Sequence, residues 1–223
     1  KRRTERERKR RTEGERKAAA YISKRFEDLG LKGIFHSDNS FYQMFKKTIR
    51  SDPHSAVAKS DDPVIMGRNV GGFLDKKAKH TIIIGAHYDH LGYGGEGSLY
   101  VGEPAIHNGA DDNASGVAIM LAMADLLKDK ELNYNFLFLA FSGEEKGLWG
   151  SNFFVDNSPL KLDDINYMIN LDMVGRLNEE RKMALYGTGT SPAWEKAFKK
   201  TPNPNLNFTK QESGVGPSDH TSF

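Results

Sequence analysis

Residues 81–90 read Thr-Ile-Ile-Ile-Gly-Ala-His-Tyr-Asp-His. Six uncharged, mostly aliphatic residues end in a histidine, with an acid two places on. An unbroken apolar run of this length is what a strand covered on both faces of a sheet requires. Working outward, three more runs share the character: Asn135–Phe141, Tyr167–Met173 and Met183–Tyr186. Between the first two lies Gly116–Lys130, with Val117, Met120, Leu121, Ala124 and Leu127 at helical spacing. Strand, helix, strand in alternation predicts an α/β fold.

The flanks fit the same scheme. Ala18, Ile22, Phe26 and Leu29 form one helical stripe, with Gly30 as its stop. Residues 41–45 and 64–73 carry weaker strand signals, with Pro53 and Pro63 punctuating the loop between them. A further helix is expected from Ser191, with Pro192 in its first turn and Trp194, Ala197 and Phe198 along it. No composition shift divides residues 14–223, which are read as a single domain behind a flexible basic segment, 1–13.

Charge narrows the function classes. The net charge is +2, but residues 1–17 hold ten Lys/Arg against four Glu, so the remainder carries about −4. An acidic body suits a cation site and argues against a nucleic-acid face. The basic start reads as a solvated charge run rather than an arm for nucleic acid or anionic lipid. The 223 residues include no cysteine, which excludes disulfides and thiolate chemistry. No apolar stretch reaches the ~18 residues of a membrane helix.

The chemistry-bearing residues sit where the runs end. In open α/β sheets ligands bind beyond the strand C-termini. His87 follows the first run, Glu144 and Glu145 follow the second in Phe-Ser-Gly-Glu-Glu, and Asp172 closes the third in Asn-Leu-Asp-Met. Asp111 lies in Asn-Gly-Ala-Asp-Asp-Asn-Ala-Ser-Gly ahead of the helix, and His220 in Ser-Asp-His. Imidazoles and carboxylates are the ligands of zinc and similar ions. Two histidines and three carboxylates suffice for two ions, and one carboxylate can bridge them. Asp89 is spaced to orient His87, as a carboxylate often does for a ligating imidazole. Glu144 is placed to act as a general base. Asn113 or Ser115 would cap the helix at Gly116. His90 and His107 read as surface or pocket histidines rather than ligands. For Asp172 the rival reading is a salt bridge to Arg176.

Other signatures are missing. The chain has no His-Glu-x-x-His pair, no Gly-x-Ser-x-Gly elbow and no Gly-Lys-Ser/Thr loop. Gly92-Tyr-Gly94-Gly-Glu-Gly97 matches the dinucleotide pattern, but no helix follows it, so it is read as a loop near the site.

Taken together and in this order, Gly-Ala-His-x-Asp, Gly-Ala-Asp-Asp-Asn-Ala-Ser-Gly, Gly-Glu-Glu, Asn-x-Asp and Ser-Asp-His resemble the M28 family of zinc aminopeptidases over roughly residues 12–223. The resemblance implies a three-layer α/β/α fold of the zinc-exopeptidase type, with a mixed, largely parallel central sheet. It implies two Zn²⁺ per chain, bridged by Asp111. His87 and Asp172 would complete one ion, Glu145 and His220 the other, with Glu144 as general base and Asp89 orienting His87. The peptide after the bridging acid, here Asp111-Asp112, would be cis. The family continues past Ser-Asp-His with another strand and a helix, so the catalytic domain is expected to extend beyond residue 223. His220, near the last residue, is expected to be poorly held. The interval between residues 45 and 63 is too short for the inserted protease-associated domain of some relatives.

The implied activity is hydrolysis of the N-terminal peptide bond of a peptide with a free N-terminus, through a water shared by two zinc ions. Carboxypeptidase, glutaminyl cyclase and a non-catalytic receptor-like domain are the alternatives on the same fold. By analogy with bacterial relatives, export to the periplasm or medium is expected. Side-chain specificity and oligomeric state are not encoded in these motifs.

Overall fold

The computed structural model describes residues 2–36, 38, 40–49, 59, 62–94, 97–200, 203 and 205–223, with the side chains of 2–12 set aside. Most of the basic start by side chain, the loop at Pro53, and Gly95 and Glu96 of the glycine-rich stretch lie outside the described residues.

Helix α1 runs Arg2–Asp28 and buries Ala19, Ile22 and Phe26. Gly30, at φ 76°, closes it, and the Leu31 N–H donates back to Phe26 O at 3.0 Å. Strands β1 (Tyr42–Thr48), β2 (Val64–Leu74), β3 (Thr81–His87), β4 (Asn135–Phe141) and β5 (Ile165–Asn170) form one sheet in the order β1-β2-β4-β3-β5. The sheet is mixed, as predicted. β1–β2 and β2–β4 are antiparallel, whereas β4–β3 and β3–β5 are parallel.

The three layers follow from side-chain alternation. Phe136, Phe138 and Ala140 of β4, with Ile82, Ile84 and Ala86 of β3, pack under α1 and α2 (Gly116–Lys128). Leu137, Leu139 and Phe141, with Ile83, face the other way, onto Phe35 and Phe154 of α3 (Trp149–Asp156). Period two splits each run between two cores, so both strands are wholly buried. Helix α3 had no place in the sequence reading: Trp-Gly-Ser-Asn-Phe-Phe-Val-Asp shows too short an apolar stripe.

Two expected strands differ. β5 ends at Asn170, so Asp172 stands beyond the strand rather than inside it. The physical reason is Asn113, whose amide nitrogen donates to Leu171 O at 2.8 Å and whose Oδ1 accepts the Met173 N–H at 3.3 Å, drawing the chain off the ladder. The Met183–Tyr186 run is not buried in the main sheet. It becomes β6 (Lys182–Leu185), paired in parallel with β7 (Asn207–Lys210) in a separate two-stranded sheet. Its Lys-Met-Ala-Leu alternation half-buries one face only. Helix α4 (Pro192–Lys200) packs here, Phe198 against Phe208 at 6.0 Å and Trp194 edge-on to Tyr167 of β5 at 5.0 Å. No helix among the described residues is long and apolar enough to cross a membrane.

Candidate metal centre

Three parallel strands, β4, β3 and β5, end at one edge, and the sequence loads that edge with ionisable groups. His87 is the last residue of β3 and is 1% exposed. Its Nε2 lies 3.1 Å from Asp112 Oδ1, 3.4 Å from Asp172 Oδ1 and 3.9 Å from Glu144 Oε2. Asp172 therefore faces His87 and not Arg176. Single ligand-capable atoms of His87, Glu144 and Asp172 all lie within 4.8 Å of one another. A second cluster of the same tightness joins His90, Asp112 and Glu145.

The two acids of the Asp-Asp pair divide differently from expectation. Asp112 faces His87, whereas Asp111 Oδ1 accepts the Gly175 N–H at 2.8 Å and its carbonyl accepts the Ser115 hydroxyl at 2.6 Å. Asp111 therefore tethers the loop after β5 and belongs to neither cluster. The cis peptide is likewise one place later, at Asp112-Asn113. The chain kinks through Asp112 and Asn113 before α2 begins, which turns the second carboxylate toward the strand ends. Asn113, 2% exposed, caps α2 by accepting the Gly116 N–H at 3.1 Å.

Asp89 also has a different partner from the one expected. His87 Nδ1 meets the Asp89 carbonyl oxygen at 3.1 Å, with the carboxylate Oδ1 further off at 3.8 Å. That Oδ1 accepts the backbone N–H of Glu144 at 3.0 Å. The backbone of Asp89 thus sets the ring of His87, and its carboxylate holds the turn that presents Glu144.

His220 lies in a short turn, Asp219–Ser222, that is well anchored despite its place near the last residue. Phe223 packs on Phe141 and Phe154 at 6.2 and 5.9 Å, Ser222 Oγ is 2.8 Å from Ser151 Oγ, and Thr221 donates to Gly216 O at 2.6 Å. The His220 ring packs against Tyr186 at 5.8 Å with the two rings tilted, and its Nε2 is buried without a hydrogen-bond partner among the described residues. It stands near enough to Asp172 for each to feel the other's charge, though it joins neither cluster.

The electrostatics follow from crowding carboxylates in a buried place. Burial, reinforced by the charges of Asp219, Asp172 and Asp89, raises the Glu144 carboxyl to about 8, even though His87 pulls it down. Burial alone would discharge His87. The carboxylates of Asp112 and Asp172 beside its Nε2, with the charge of Asp89, overcome that and raise the imidazole to about 11. Burial likewise lifts Asp219 to about 7. A buried excess of carboxylates is costly without compensating cations. The buried His220 Nε2, which has no partner among the described residues, is a polar atom of the kind that calls for one. The donor set of imidazoles and carboxylates fits zinc or a similar divalent ion.

Known proteins resemble the chain in sequence and in fold. Aminopeptidase YwaD of Bacillus subtilis is 33% identical over 159 residues, covering 66% of this chain and 31% of its own length. The chain thus spans about a third of that relative. The solved structure of a zinc aminopeptidase from Bacillus subtilis superposes with a TM-score of 0.52 at 31% identity, over 71% of this chain and 37% of that one. A glutaminyl cyclase from Bacteroides thetaiotaomicron shares the fold at a TM-score of 0.61 and 18% identity, over 91% of this chain and 70% of that one. A profile of peptidase family M28 matches residues 69–223, from β2 to the last residue, and takes in both clusters. The chain belongs to peptidase family M28.

Proposed function

We propose that the chain carries the catalytic centre of a metal-dependent aminopeptidase that works with two divalent cations, zinc by preference. The observation that supports this most is Asp112, a member of the His90–Glu145 cluster whose Oδ1 is also 3.1 Å from His87 Nε2. A carboxylate so placed is suited to bridge. His87, Asp112 and Asp172 would hold one ion, and Asp112 and Glu145 the other, with His220 as the imidazole that the resemblance assigns to it. Bound cations would supply Lewis acidity toward the scissile carbonyl and toward an attacking water.

The chain's own residues provide the proton traffic. Glu144 presents Oε2 beside His87 Nε2 and is fixed from behind by Asp89. So placed, its carboxylate can take a proton from water and return it to the departing amine. By the resemblance to M28 aminopeptidases, one cation would also help hold the substrate's free amino group, which restricts cleavage to the chain end.

The test is hydrolysis of matched peptides with free and acetylated N-termini, before and after chelation and after zinc is returned. Cleavage of the free peptides alone, lost with chelator and restored by zinc, is expected. Equal cleavage of blocked peptides would reject the aminopeptidase reading. Cyclisation of N-terminal glutamine with ammonia release, without peptide cleavage, would assign the centre to the cyclase chemistry instead.

A further inference from the structure

One imidazole beyond those given a role above is already seated in the centre. His90 Nδ1 lies 2.6 Å from Glu145 Oε1, and His90, Asp112 and Glu145 offer ligand atoms within 4.8 Å of one another. His220 is in neither cluster. We propose that His90 is a protein ligand of the cation held by Asp112 and Glu145. This assignment rests on the two-cation reading.

The seat of the ring supports it. Gly109 has φ 62°, and a Cβ there would come within 3.0 Å of His90 Cδ2 and 3.1 Å of its Cγ. A side chain at that position would push the imidazole away. Gly109 belongs to the turn that delivers Asp112 three residues later, so one piece of backbone both makes room for the ring and positions the carboxylate. His107 is a contrasting case. Its ring is 6.2 Å from that of His90, but both nitrogens have partners, Nε2 with Ser98 Oγ at 2.7 Å and Nδ1 with Ala105 O at 3.2 Å. His107 closes its own loop, whereas His90 points its nitrogen at a candidate ligand.

The distances leave a small adjustment. Around a tetrahedral zinc ion with bonds of ~2.0–2.1 Å, two ligand atoms stand ~3.3 Å apart. His90 and Glu145, whose side chains are 21% and 15% exposed, would part by about 0.7 Å to admit it, within the reach of a rotamer shift.

The test compares the wild-type chain with His90→Asn, both stripped of metal and then titrated with Co²⁺ by visible absorption and with Zn²⁺ by calorimetry. Asparagine can still hydrogen-bond Glu145 but is a poor zinc ligand, so a purely structural role would survive the change. Two equivalents are expected on the wild type. The variant should bind the first unchanged and the second roughly 10–100-fold more weakly, with an altered cobalt spectrum for that second equivalent. His90→Asp, which restores a ligand, should recover part of the loss. Two equivalents on the Asn variant with wild-type affinities and spectrum would overturn the role of His90 and leave the two-cation reading intact. A wild type that takes up no more than one equivalent would overturn both.

Discussion

Asp112 Oδ1 stands 3.1 Å from His87 Nε2, while its neighbour Asp111 turns its own Oδ1 to the Gly175 N–H at 2.8 Å. Adjacent, chemically identical residues thus serve different ends: one faces the centre and the other ties down the loop that follows Asp172. The two substitutions should separate cleanly. Asp112→Asn should weaken metal binding by roughly 100-fold or more at little cost to the fold. Asp111→Asn should retain metal and lose about 1 kcal/mol of stability, since the bond it weakens is exposed. Elemental analysis with thermal melting reads both, and the opposite pattern would return the bridge to Asp111.

Glu144→Gln removes the proton acceptor and keeps its shape. Turnover should fall roughly 10²–10⁴-fold with metal content unchanged. Near wild-type turnover would place the general base elsewhere.

Asn113 is the joint between the kinked turn and the loop of Asp172. Its amide donates to Leu171 O at 2.8 Å, and its Oδ1 accepts from Gly116 N at 3.1 Å and Met173 N at 3.3 Å. Replacing it with Ala would leave the Gly116 N–H unpaired in a buried place and break the two part-buried bonds, at a cost of about 1–3 kcal/mol. Because Asp172 lies between Leu171 and Met173, metal affinity should fall as well. Urea denaturation and metal titration of Asn113→Ala measure the two effects, and an unchanged melt would show the joint to be dispensable.

What could be read in advance follows the length of each physical signal. β3 and β4 were legible to within a residue because both their faces are buried, which leaves an unbroken apolar run. His87, Glu144, Glu145 and Asp172 were legible because parallel strands must deliver their C-terminal residues to one edge. The choice between Asp111 and Asp112 was not, since it depends on the kink at Asp112 and Asn113, to which no periodicity corresponds. The nearness of His90 to Glu145 is hidden in the sequence for a related reason: the two are 55 residues apart, and the pairing of β3 with β4 brings them together. The seat at Gly109 is the available clue, a glycine three residues ahead of the acid that faces His87.

His87 carries a proton in the metal-free chain, held to about 11 by Asp112 and Asp172 against the effect of burial. A ligating imidazole must be neutral. Metal uptake at neutral pH should therefore release at least one proton, and affinity should weaken about tenfold for each unit that pH falls below that range. Calorimetry in buffers of different ionisation heat counts the protons. Uptake without release would mean that His87 stays charged and is not a ligand.

Glu144 gives the metal-free chain a pH dependence of its own. Its carboxyl rises from an ordinary value near 4.5 to about 8 in the fold, chiefly through burial and then through the neighbouring charges of Asp219, Asp172 and Asp89. A group with a raised folded pKa binds its proton more tightly in the folded state. Its contribution to stability is therefore complete below about 4.5 and is lost as pH climbs to about 8. Above that, the folded chain must hold an ionised carboxylate among other acids. Glutamine is neutral throughout, so the melting temperature of Glu144→Gln relative to wild type should rise steadily between pH 5 and pH 8 when both are metal-free. Saturating zinc should erase the difference, because the cations would then compensate the carboxylate. A gap that is flat with pH, or that narrows as pH rises, would show that Glu144 ionises in the fold as easily as it does in water.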